Sequence, residues 1–261
     1  TAAQKKRERK VGGGQKGILN TAESKLFYIL FYLKCYPTFD VTGFVFGVDR
    51  SQTCRWAQKF LPLLEKVLNR TLSLPKRQIR SIKELFEFFP EAKDLFVDGT
   101  ERRVQRPKNS KNQKRRYSGK KKTHTRKNAI VADENRRILL VSKTKNGREH
   151  DLTQLRKTGV LWCIPPGTNI WGDKAYQGIK EDVGEGVGVY IPHKKPKKKH
   201  LTEEQKQENQ VISGIRIVVE HAIGGIKRFK ALSDVYRNKK GQDDMMVSVC
   251  AGLWNFHLQN I

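Results

Sequence analysis

Three acidic residues stand in distinctive local sequences: Asp98 in LFVDGTE, Asp173 in IWGDKAYQG and Glu220 in RIVVEHAIGGIKRFK. Short apolar runs, Leu95–Val97 and Asn169–Gly172, precede the two aspartates, so each carboxylate is expected at a strand end. Glu220 lies in a long stretch of helical periodicity. A lone acid is usually a solvated surface charge. Two strand-borne aspartates and one helix-borne glutamate, on a chain of net charge +27, suggest carboxylates that hold divalent cations against DNA.

The surroundings of Glu220 add cations. Ser213, Arg216, Glu220 and Lys227 follow one another at steps of three, four and seven residues. Those steps keep all four on one stripe of an α-helix. A carboxylate flanked by Arg216 and Lys227 can ligate a cation while its neighbours hold phosphate. The plainer reading is an exposed helix with i,i+4 pairing, worth a few tenths of a kcal/mol, roughly 0.2–0.5.

Composition narrows the partner. The 261 residues carry 53 Lys+Arg against 26 Asp+Glu, with 37% hydrophobic content and a pI of about 10.1. Such a charge balance usually serves a polyanion. A membrane surface is the competing partner, but no apolar run approaches the roughly 18 residues that span a bilayer, and no signal peptide begins the chain. A cytoplasmic protein, nucleoid-associated when bound to DNA, is expected. Cys35, Cys54, Cys163 and Cys250 are scattered without zinc spacing and read as reduced core residues. The charge is also concentrated, from Arg102 to Lys127 and from His193 to His200. These blocks flank the acidic strands, where a phosphate backbone would lie. Lys120, Lys121 and Lys122, and Lys174 next to Asp173, are the expected contacts.

The elements that must position these groups form two units. Residues 20–70 read as a helical head. Asn20 and Glu23 resemble a capping box, and Leu26, Ile29, Leu30 and Leu33 form an inward stripe. A short helix ending near Phe46, a Gly47-Val48 turn and a new helix capped by Asp49 make a helix-turn-helix. The second helix buries Thr53, Ala57, Phe60, Leu61, Leu64 and Leu68. It exposes Arg50, Ser51, Gln52, Arg55 and Lys59, residue types that read base edges and phosphates from the major groove. Residues 1–19 are a basic tail. Residues 71–93 are a linker plus a short helix capped by Ser81 and Glu84, with Ile82, Leu85, Phe86 and Phe89 on one stripe. Residues 94–261 make the larger body. Its expected elements are a strand at Leu95–Asp98, a hairpin of Asn128–Asp133 with Arg137–Ser142 and a short helix at His150–Lys157. Strands at Thr168–Gly172 and Val187–Ile191 follow, then a long helix at Thr202–Lys230 and a last helix at Asp243–His257. That order is α/β and ribonuclease-H-like, the architecture shared with retroviral integrases.

VDGTE, YSGKKKTHTRKN, HDLTQLR, GDKAYQG, IPHKKP, LTEEQKQ and RIVVEHAIGGIKRF together resemble the DDE-superfamily transposases of the Harbinger-like, insertion-sequence-5-type group. The resemblance spans the body from Leu95 to about Lys230 and extends to the head. It implies a catalytic core in which Asp98, Asp173 and Glu220 bind two Mg²⁺ ions, with Mn²⁺ able to substitute. Asp98 would bridge both ions, and Asp173 and Glu220 would each complete one site. It also implies double-stranded DNA as partner, both terminal inverted repeats and target, and a homodimer on that DNA. A related signature of Tyr, Arg, Glu and Lys lands on Arg216, Glu220 and Lys227, with Ser213 in the Tyr place. The gap from Asp173 to Glu220 leaves no room for a large insertion. Two other readings use the same features: an inactive domesticated DNA-binding protein, and another ribonuclease-H-like nuclease.

Overall fold

The computed structural model describes residues 17–88, 90, 92–196, 200–238 and 241–260. Residues 1–16 of the expected basic tail, Phe89 and the side chain of Phe86 on the expected stripe, and Lys197–Lys199 of the second basic block lie outside them.

Helices α1 (Ala22–Cys35), α2 (Phe39–Phe46) and α3 (Arg50–Arg70) build the head. Gly47 takes the left-handed conformation (φ 63°) that ends α2, and Asp49 Oδ1 accepts the Ser51 amide at 2.7 Å to start α3. All six residues expected inside α3 are buried. At α1 the expectations need correction. The capping box joins Thr21 and Ser24 rather than Asn20 and Glu23, because the helix begins at Ala22 and so makes Ser24 its third residue. Leu26 is 47% exposed, because Tyr28 and Tyr32 occupy the interior in its place.

The short helix α4 (Ile82–Phe88) starts as expected, with the Glu84 amide donating to Ser81 Oγ at 3.1 Å. The segment before it is docked rather than loose. The Lys76 amide donates to Leu139 O, its carbonyl accepts from Val141, and Ile79 is buried.

The body is a curled mixed sheet. Strands β1 (Asp94–Arg103), β2 (Tyr117–Ser118), β3 (Thr123–Asp133), β4 (Ile138–Val141), β5 (Lys145–Asn146), β6 (Asn169–Gly172) and β7 (Gly188–Tyr190) form it. Strand β3 pairs antiparallel with β1, β2, β4 and β5, whereas β1, β6 and β7 run parallel. The path β4-β3-β1-β6-β7, three antiparallel strands followed by two parallel ones, is the ribonuclease-H-like order, so the expected fold class holds. The remaining helices are α5 (Ser110–Arg116), α6 (Asp151–Arg156), α7 (Glu203–Ile215), α8 (Ile217–Lys227), α9 (Lys230–Ser233) and α10 (Asp243–Gln259).

One sheet face buries Leu95, Val97 and Val131 with Leu152, Leu155 and Tyr176. The other buries Phe96, Ile130 and Ala132 under α8 and α10, and this core continues into the head through Phe60, Leu61 and Leu64. Head and body therefore share one hydrophobic cluster.

Two expectations for the charged and sulfur residues fail. Arg102 and Lys127, the ends of the basic block, are each only 5% exposed. Arg102 Nη2 lies 2.7 Å from Asp243 Oδ1, Arg126 Nη1 lies 2.5 Å from Asp243 Oδ2, and the Arg102 guanidinium stacks on Tyr236 at 4.1 Å. Charges removed from water need such partners, so Arg102 and Arg126 tie β1 and β3 to α10, and Lys127 ties β3 to Glu101 and Asp151, rather than meet phosphate. Cys163 and Cys250 are buried, but Cys35 is exposed because it ends α1 at the surface.

Candidate active site

Asp98 and Asp173 are brought together by strand pairing. Parallel pairing of β1 with β6 sets Val97 beside Gly172, so the residues that follow emerge at the same sheet end. Gly172 is needed there: a Cβ would lie 2.8 Å from Ile191 Cδ1 and 3.0 Å from Val97 Cγ2. Each aspartate spends one oxygen on a backbone amide. Asp98 Oδ1 accepts from Gly99 at 2.6 Å and Asp173 Oδ1 from Ala175 at 2.8 Å, which fixes both rotamers and leaves a second oxygen on each. Burial pushes the Asp98 carboxyl above the usual aspartate range, and the Asp173 charge pushes the same way. The Gly99 amide, Arg216 and Lys120 pull it back.

This imbalance has a consequence for stability. With its folded pKa raised above the unfolded value, Asp98 favours the fold below the unfolded pKa, and that contribution is lost as pH rises through the folded pKa. In cation-free buffer Asp98→Asn should therefore raise the melting temperature at neutral pH, by on the order of 2–4 °C for each kcal/mol relieved. The gain should fade on acidification toward about pH 4. Calorimetry at both pH values checks this; an equal gain at each would remove Asp98 titration as its cause.

Arg216 is 9% exposed, with Nη2 3.6 Å from Asp98 Oδ2. The expected single helix over residues 202–230 is interrupted there. Arg216 (ψ −10°) ends α7 and starts α8, and the Val219 amide reaches back only three residues to its carbonyl. Ser213 lies beyond that break, on α7, and is exposed, as Glu220 is. Lys227, at the other end of α8, feels both Asp98 and Glu101. Burial, then neighbouring Lys121 and Lys120, hold its ammonium below the usual lysine range. Glu220 sits in the first turn of α8 and is exposed. Among the described residues no group of three or more His, Cys, Asp or Glu side chains stands close enough to hold a metal ion. The structure thus gathers two of the three expected carboxylates and leaves Glu220 apart.

The other expected contacts fall in two places. Lys120, Lys121 and Lys122 occupy the exposed turn from β2 to β3, and Lys174 is exposed beside Asp173. On the head, Arg50, Ser51, Arg55 and Lys59 are exposed and Gln52 is half-buried, with Arg55 Nη2 donating to Gln52 Oε1 at 3.0 Å.

Two neighbours of the acid pair escaped the sequence reading. Tyr176 is fully buried, feels Asp98, Asp151, Asp173 and Arg216, and its hydroxyl has no hydrogen-bond partner among the described residues. Burial pushes its phenol far up, so it stays protonated. Asp151 closes against Gly99, where a Cβ would meet Oδ1 at 2.9 Å, and accepts from Lys127 Nζ at 2.9 Å. Both residues lie in quoted motifs, GDKAYQG and HDLTQLR.

Comparison with known proteins gives the family. Residues 97–255 match the DDE superfamily endonuclease family, and residues 19–70 match the helix-turn-helix of DDE superfamily endonuclease. The chain is 31% identical over 258 residues, 98% of its length and 87% of the relative's, to a protein of Microchaete diplosiphon described as a probable transposase for insertion sequence element IS702. No solved structure matches. Paired strand-end aspartates, a ribonuclease-H-like sheet and a leading helix-turn-helix thus coincide with the family matches, and the chain belongs to the DDE superfamily of endonucleases.

Proposed function

We propose that this chain is a DNA transposase that binds the terminal inverted repeats of an insertion sequence with its helix-turn-helix and cuts and joins DNA at Asp98 and Asp173. The observation that carries the reading is the placement of both aspartates at one end of paired parallel strands, with Arg216 beside them. The relative's description supports transposition, and the charge of +27 supports a DNA partner.

Two carboxylates, each with an oxygen left over from its amide bond, form an all-oxygen donor set that fits a hard divalent cation such as Mg²⁺, with Mn²⁺ as substitute. Asp98, Asp173 and Glu220 would hold two such ions, which when bound supply Lewis acidity to the attacking and leaving oxygens of the phosphodiester. Glu220 is assigned as the third carboxylate because Arg216 and Lys227, which bracket it on the same flank of α8, both interact with Asp98. Arg216, held against Asp98, positions the phosphate. Burial first, then Lys121 and Lys120, disfavour the Lys227 charge, and a phosphate beside it would offset them by favouring the ammonium. Joining two element ends requires two copies, so a homodimer on DNA follows from the reaction.

The head and the β2–β3 turn should differ in what they contribute. Gln52→Ala or Arg55→Ala should cost about 1–3 kcal/mol of discrimination between specific and scrambled duplexes. Neutralising Lys120, Lys121 and Lys122 should weaken both duplexes alike and flatten the salt dependence. Gel shifts decide; equal loss on both duplexes from the head variants would remove base reading from α3.

The reaction itself is tested with an end-bearing duplex and a supercoiled target. Cutting and joining are expected. Cutting without joining would indicate another ribonuclease-H-like nuclease, and binding without cutting a domesticated DNA-binding protein.

A further inference from the structure

An aromatic row crosses the sheet next to the acid pair. Register places Phe96 beside Trp171 and Trp171 beside Tyr190, on β1, β6 and edge strand β7. Side chains two residues apart share a sheet face, one step of about 7 Å along the strand. Asp98 and Asp173 are each one such step beyond Phe96 and Trp171. The Trp171 and Tyr190 rings stack at 4.1 Å and 14°. Trp171 is anchored by its Nε1 donating to Asp94 Oδ1 at 2.7 Å. Gly188 leaves room for the Tyr190 ring, since a Cβ there would come within 3.1 Å of it. Yet Tyr190 remains 39% exposed although Trp171 covers one ring face.

Because β1, β6 and β7 are parallel, the chain leaving β7 emerges at the carboxylate end of the sheet. There it carries exposed Lys194 and Lys195, while His193 is pinned to α7 by its amide donating to Asn209 Oδ1 at 2.6 Å. A stacked aromatic pair beside exposed cations is the combination that binds unpaired nucleic acid, since rings stack on bases of any sequence and cations follow the backbone.

We infer that Trp171 and Tyr190, with Lys194 and Lys195, form a seat for an unpaired nucleotide of the DNA strand beside the cut. The seat rests on the reading of Asp98 and Asp173 as the cutting pair. It also gives the second basic block a role: a phosphate backbone leaving the carboxylates meets those lysines, and its frayed base meets Tyr190.

The test is fluorescence anisotropy of the full chain in cation-free buffer, where nothing is cut. The probes are a short blunt duplex and the same duplex with an unpaired tail containing 2-aminopurine. Wild type should prefer the tailed probe about tenfold and quench the 2-aminopurine. Tyr190→Ala should bind both probes equally, whereas Tyr190→Phe, which keeps the ring, should retain the preference. A preference that survives Tyr190→Ala, or unchanged 2-aminopurine emission with wild type, would overturn the seat. The emission measurement stands even if Tyr190→Ala fails to fold. Asp98→Ala separates the two readings: continued cutting by that variant removes the cutting site, whereas loss of cutting in a protein without tail preference removes the seat alone.

Discussion

Asp98→Ala should lower DNA cleavage by at least about a hundredfold, the scale on which removal of a preorganised charge from a reacting centre acts. Its affinity for DNA should stay near wild type or rise slightly. Asp98 is the group with the densest set of neighbours at the candidate site: Asp173 repels it, Arg216 reaches it at 3.6 Å, and Lys120 and Lys227 feel it. On the proposed function, removing it deletes a cation ligand and a negative charge facing phosphate. Those changes oppose each other in binding but not in catalysis. Asp173→Ala and Glu220→Ala should match it in rate. The Glu220 variant is the most informative of the three, because that side chain stands apart and exposed. Cleavage assays in excess Mg²⁺, paired with anisotropy, separate the two effects. A tenth of wild-type cleavage retained by Asp98→Ala would take that residue out of the site.

The second large effect concerns the fold. Asp243→Ala should destabilise the chain by about 3–5 kcal/mol, a fall of roughly 6–20 °C in melting temperature. Asp243 is 2% exposed and neutralises Arg102, itself 5% exposed, together with Arg126. Without it, Arg102 keeps, among the described residues, the Ala231 carbonyl at 3.1 Å, the Met246 sulfur at 3.7 Å and the Tyr236 ring. A guanidinium cannot lose its proton to escape that cost. The pair links β1, the strand that carries Asp98, to α10, so cleavage should fall in step with the folded fraction. Replacing both members by apolar residues, Arg102→Met with Asp243→Leu, should recover much of the loss, because the buried Arg102 charge goes with its partner and Arg126, which also loses Asp243, is 29% exposed and reaches water. Thermal melts of the three proteins decide. A drop of less than about 2 °C in Asp243→Ala would mean that water reaches the pair.

Several features were legible in the residues alone, and each is local. The Gly47 turn and the Asp49 cap follow from backbone preferences at single positions, so the helix-turn-helix could be placed almost to the residue. The β3–β4 hairpin and the strands ahead of Asp98 and Asp173 follow from short apolar runs. The fold class followed as well, since three strands, a helix and a strand admit few arrangements.

What the sequence could not decide depended on partners distant along the chain. Arg102 and Lys127 look like the rest of a cationic block until tertiary packing supplies Asp243, Asp151 and Glu101. The stripe around Glu220 looks continuous until Arg216 is drawn to Asp98 and α7 separates from α8. Trp171 and Tyr190 meet only through the parallel pairing of β6 with β7. Periodicity records which way a side chain points along its own element. Which charge it meets there is fixed by chain closure over a hundred residues or more, as between Arg102 and Asp243, and no local pattern carries that information.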